Sequence, residues 1–114
     1  MTKTLQVSFK LTPIVGTAQN LVVYTNSEAS YRGQILSGTE TEQAFEAVHK
    51  CLLTALYIVR RRDFDDVEVW CNNAIVAGTL KDHWTMTPKL FQYAKNSIQT
   101  IGKIKTLGLT VRLL

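Results

Sequence analysis

The chain has 114 residues, 46% of them apolar and 19% charged, with a net charge of +4. That balance excludes a disordered chain and suits one domain, residues 1–114, built around a single core. No apolar run reaches the roughly 18 residues of a membrane span, the opening MTKTLQVSFK has no signal-peptide core, and Cys51 and Cys71 form neither a disulfide framework nor a zinc site, so a reducing cytoplasm fits best.

Residues 4–11, TLQVSFKL, alternate apolar and polar, which predicts a half-buried strand. TPIVGTAQN follows as a connection broken by Pro13 and Gly16. Residues 21–26, LVVYTN, are apolar on both faces and read as a central strand. SEASYRG is a turn, and YRGQILS, 31–37, is a candidate returning strand. Thr39 and Glu42 have the spacing of a capping box, and the apolar residues from Ala44 to Val59 recur at helical spacing, predicting a helix over 40–61. Arg60, Arg61 and Arg62 suit its negative end, with phosphate contact as the sharper alternative. DFDD is a polar turn, VEVWCNN (67–73) a strand and AIVAGTLKD (74–82) a short helix. Thr87 and Pro88 start a last helix with Leu90, Phe91, Ala94, Ile98 and Ile101 on its apolar face. Gly102 or Gly108 ends it, and LTVRLL (109–114) closes as a strand. Such alternation predicts an α/β sheet with helices on its faces.

Four stretches together resemble the ribonuclease H family: YTNSEAS as its first strand, GTETEQAFEAVHKCLLTAL as its first helix, VEVWCNNAIVAGTL as its fourth strand and next helix, and the segment from Trp84 to the end as its later helix and fifth strand. The resemblance implies a mixed sheet with helices on its faces. It makes the strand at 4–11 an addition at the sheet edge, and the family's final helix missing beyond Leu114. It also implies that the family's chemistry is gone. Two-metal hydrolysis needs clustered carboxylates, because hard cations take anionic oxygens. Asn26 and Asn72 stand at the strand aspartates of the resembled motif, and Ala44 at its helix glutamate, with Glu42 and Glu46 as substitutes only after a shift in register. No resident metal or cofactor is expected.

After residue 80 there are six basic residues and one acid. Lys81, Lys89, Lys95, Lys103 and Lys105, with Trp84 as a stacking residue, form a candidate nucleic-acid surface, weighed against an ordinary solvated face. Three functions follow. The first is a non-catalytic module that binds a protein, as a subunit or inhibitor of nucleic-acid machinery; degenerate domains of reverse transcriptases are the model, and a phage or mobile element a suitable source. The second is nucleic-acid binding without cleavage. The third is a surviving nuclease that combines Glu28, Glu42 or Glu46 with Asp82. The protein-binding module is placed first.

Overall fold

The computed structural model describes residues 3–71, 73–82 and 88–113. The alternating residues at the start form β1, Thr4–Pro13, with Leu5 and Val7 buried and Gln6 and Lys10 exposed on the other face. A five-residue loop turns the chain; Gly16 takes the left-handed φ of 57° there, which glycine adopts without a Cβ clash. β2 (Gln19–Thr25) returns antiparallel, and β3 (Glu28–Ile35) antiparallel again. Only Asn26 and Ser27 separate β2 from β3. Both have positive φ, 50° and 72°, the signature of a type I′ hairpin turn. The turn expected over SEASYRG is therefore two residues long, and β3 begins three residues earlier than Tyr31. A register shift between Val23 and Tyr24 leaves Ser30 as the extra residue of a bulge.

α1 (Glu40–Val59) starts on the expected capping box: the Glu42 amide donates to Thr39 Oγ1 at 3.2 Å, and the Thr39 amide donates to Glu42 Oε1 at 3.0 Å. β4 (Asp66–Val69) runs parallel to β1, α2 (Ala74–Asp82) follows, and α3 (Pro88–Thr106) continues through Gly102 to end before Gly108, whose φ is 90°. β5 (Thr110–Leu113) pairs in parallel with β4.

The sheet order is β3-β2-β1-β4-β5. β1 is the middle strand, hydrogen-bonded to β2 on one side and β4 on the other. The expected edge position for residues 4–11 is corrected by this pairing, while the strand expected over 21–26 is interior, held between β1 and β3. Val7, Val23, Val67 and Leu113 on the strands share one core with Phe45, Leu52, Val76, Ala94 and Ile104 of the three helices. The opposite face carries Gln6, Lys10, Asn20, Thr110 and Arg112, all exposed. Among the described residues, the helices therefore cover one face only. None of these helices is long and apolar enough to cross a membrane.

Candidate functional site

The carboxyl ends of parallel strands are the usual place for a site in an α/β sheet. Here β4 ends at Val69 beside Val7 of β1, which runs on to Pro13, with the Trp70 amide donating to the Val7 carbonyl at 2.8 Å. Their residues toward the helices are Phe9 and Cys71, both packed against the core. On the open face Ser8 pairs with Tyr24, and Trp70, 48% exposed, stands on the other side of Ser8. Gln6, Ser8, Tyr24, Ser27 and Trp70 line an open depression there of about 520 Å³.

No carboxylate of β1 meets this end, because β1 contains none. Asn26 is a turn residue of the β2–β3 hairpin. Its carboxamide oxygen accepts from the Gln6 amide at 2.9 Å, and its own amide donates to the Gln6 carbonyl at 2.9 Å. Asn26 thus sits just past the end of β2, an interior strand, while the middle of the sheet belongs to β1. Ala44 is buried in the core and Glu42 closes the capping box, while Glu46 is half-buried. Asn72 lies outside the described residues. Glu28 lines a groove beside Ile58 and Arg61, near the opposite end of α1 from Glu42. Sixteen residues of helix separate Glu42 from Ile58, roughly 24 Å, too far for a shared metal. Among the described residues no group of three or more His, Cys, Asp or Glu side chains could hold a metal ion.

The thiols are not poised as nucleophiles. Burial pushes the Cys51 thiol far above its ordinary range, with nearby Cys71 adding to it. Burial also pushes Cys71 up, partly offset by backbone hydrogen bonds at Asn73 and Ala77. A protonated thiol is a weak nucleophile. His49 is held below its ordinary value, first by burial and then by Lys50.

The expected basic surface is dispersed. Lys95, Lys103 and Lys105 are exposed on α3, but Lys103 and Lys105 are two residues apart, roughly 200° around the helix. Lys81 lies in α2 and Lys89 in α3, and Trp84 is outside the described residues. Arg112 is engaged on the open sheet face, 2.9 Å from Asp66 and 2.5 Å from Glu68.

A more concentrated cationic surface lies where sequence reasoning gave only a hint. α1 and the β2–β3 hairpin enclose two adjoining depressions, of about 310 and 280 Å³, that share Ser30, Thr54 and Tyr57. Arg61 and Arg62 line one, Lys50 the other, and Glu28 is the acid among them. The arginine triplet was the visible signal. Its alignment with Lys50 and two tyrosines needed the helix register and the hairpin.

No family model matches the chain, and no curated protein does. Solved structures do. The N-terminal RNase H domain of Rv2228c from Mycobacterium tuberculosis, a fusion with maltose-binding protein, superposes with a TM-score of 0.67 at 13% identity, over 95% of this chain and 84% of that one. The fold is ribonuclease H-like. LC11-RNase H1, isolated from compost by a metagenomic approach and solved in complex with an RNA/DNA hybrid, gives 0.64 at 14% identity, over 96% of this chain and 83% of that one. A foamy viral protease–reverse transcriptase in complex with double-stranded DNA gives 0.53 at 11% identity, over 98% of this chain and 21% of that one.

Proposed function

We propose that residues 1–114 form a non-catalytic ribonuclease H-like binding module that engages nucleic-acid-processing machinery or its nucleic acid without cutting. The observation that carries this reading is the central strand. Thr4–Pro13 contains no Asp or Glu, so the middle of the sheet offers no anionic ligand to a divalent metal. The nearby acids have other work: Glu42 caps α1, and Asp66 and Glu68 pair with Arg112. Among the described residues, two-metal hydrolysis has no constellation to act through.

For the partner, a protein acting as subunit or target of inhibition would use exposed apolar side chains such as Leu36 in the β3–α1 loop, Ile75 in α2 and Leu107 between α3 and β5. Nucleic acid is the alternative partner, with the cation-lined groove of α1 in its support. Solved neighbours of this fold hold an RNA/DNA hybrid or double-stranded DNA. The test is incubation with labelled RNA/DNA hybrid, duplex RNA and single strands, with magnesium, manganese or chelator, at low and high salt. Binding without cleavage is the expected result. Metal-dependent cleavage by the unaltered chain overturns the reading.

A further inference from the structure

We infer that the groove between α1 and the β2–β3 hairpin is a binding site for a single nucleic-acid strand, with Tyr31 and Tyr57 as stacking platforms and Lys50, Arg61 and Arg62 facing its phosphates. The inference rests on the non-catalytic binding reading and names the ligand class of that module.

The groove follows one face of α1. Lys50, Thr54 and Tyr57 recur on α1 at spacings of four and three, which places them in a row, and Arg61, just past the helix end, continues it by donating back to Tyr57. Nine residues of helix run from Lys50 to the end of α1 at Val59, roughly 14 Å, with Arg61 two residues beyond, room for a few nucleotides. Both platforms are exposed, Tyr57 by 60% and Tyr31 by 36%. Each has a cation over one face of its ring. The Arg61 guanidinium lies 3.6 Å from the centre of the Tyr57 ring, and Lys50 Nζ 5.8 Å from that of Tyr31. Arg61 is fixed further by donating to the Tyr57 carbonyl at 2.9 Å, leaving donors of its fork for a ligand. Stacking on an aromatic face beside a cation is how single strands are held without sequence readout.

Two features of β3 look purposeless until the groove is considered. Gly33 sits inside a strand, where glycine is unfavourable by roughly 0.5–1 kcal/mol, and its φ is not positive. The Tyr31 ring lies across it: a Cβ at position 33 would be 2.6 Å from the Tyr31 hydroxyl. Glycine thus lets Tyr31 lie along the strand with Lys50 near its ring. The bulge at Ser30 brings that hydroxyl against the Thr25 hydroxyl and into both depressions. Charge separates nucleic acid from an apolar peptide as the occupant, since three cations face one acid, Glu28. The tyrosines separate it from an acidic peptide, which has no ring to stack.

The test is anisotropy of labelled single-stranded RNA and DNA oligonucleotides with the full chain, with polyglutamate as competitor. Unaltered protein is expected to bind, more weakly as salt rises. Y57A loses roughly tenfold or more in affinity while Y57F stays within about twofold. R61Q/R62Q lowers the slope of log affinity against log salt by about 1.4. G33A, which displaces Tyr31 without removing it, weakens binding, and K10Q on the open face of the sheet leaves it unchanged. The inference is overturned if the unaltered chain binds no single strand, if the groove variants bind as it does, or if polyglutamate displaces the oligonucleotide at equal charge. None of these outcomes touches the non-catalytic reading, which only cleavage of the hybrid removes.

Discussion

Asn26 and Gln6 hold each other by a reciprocal pair of hydrogen bonds, the Gln6 amide to the Asn26 carboxamide at 2.9 Å and the Asn26 amide to the Gln6 carbonyl at 2.9 Å. The pair carries the β1–β2 ladder one step past Thr25 while the chain is already turning. It also accounts for the residue type. Asparagine tolerates the φ of 50° better than most side chains and supplies the acceptor that the Gln6 amide needs. N26A is expected to lose about 1–2 kcal/mol from the left-handed backbone and the missing acceptor. N26D, which keeps an acceptor, is expected to stay close to the parent and to gain no magnesium or manganese affinity. Urea unfolding and metal titration of the two variants check this. A new metal site in N26D would return Asn26 to the role of a lost ligand.

The same turn makes a second prediction of opposite sign. Ser27 follows with a φ of 72°, a conformation that costs a side chain about 1 kcal/mol and glycine nothing. Asn-Gly is the favoured pair for a type I′ hairpin. S27G is therefore expected to raise stability by up to about 1 kcal/mol, read as a higher urea midpoint with an unchanged slope.

On the open face, Arg112 ties β5 to β4 through Asp66 and Glu68. Asp66 is only 8% exposed and also accepts from the Thr4 hydroxyl at 2.5 Å. Arg112 itself is half in solvent, which screens its side of the pair. R112A is thus expected to cost about 1–2 kcal/mol, mostly by leaving Asp66 short of a partner. Thermal melts of R112A and D66N/R112A separate the two causes, since the double variant should recover part of the loss.

These cases mark what was legible in the sequence. The capping box at Thr39 and Glu42, the span of α2 and the start of α3 could be read because local chemistry decides them. The middle position of β1 could not. A central strand advertises itself by being apolar on both faces only where both faces are covered. Here Gln6, Ser8 and Lys10 lie on the face without a described helix, so the middle strand looks like an edge. LVVYT, with Val22 and Tyr24 half-buried on that face, reads as interior, which β2 is, and so stood in for its neighbour β1 at the middle of the sheet. One misplaced strand then moved the comparison with the nuclease motif onto Asn26. The groove was hidden for another reason: Tyr31 and Tyr57 are 26 positions apart and meet only through the hairpin and the helix register.

The last prediction concerns acid. His49 lies on α1, half-buried between Lys50 and α3, with its Nε2 3.5 Å from the Thr100 hydroxyl. Burial, and then the charge of Lys50, hold its imidazole below the ordinary value of 6.5. The unfolded chain regains the ordinary value and binds a proton first as pH falls. Between the two values the unfolded state carries more protons, so stability rises with pH across that window. The contribution is complete above about pH 6.5, starts to fall through that value, and is lost below the folded-state value. H49Q removes the titrating group without removing the hydrogen-bonding capacity toward Thr100. Urea midpoints at pH 7.5 and pH 5 should therefore fall less in H49Q than in the parent, the carboxylates being common to both. An equal fall in the two proteins would mean that His49 is protonated in the folded state, and that the space between α1 and α3 admits its charge.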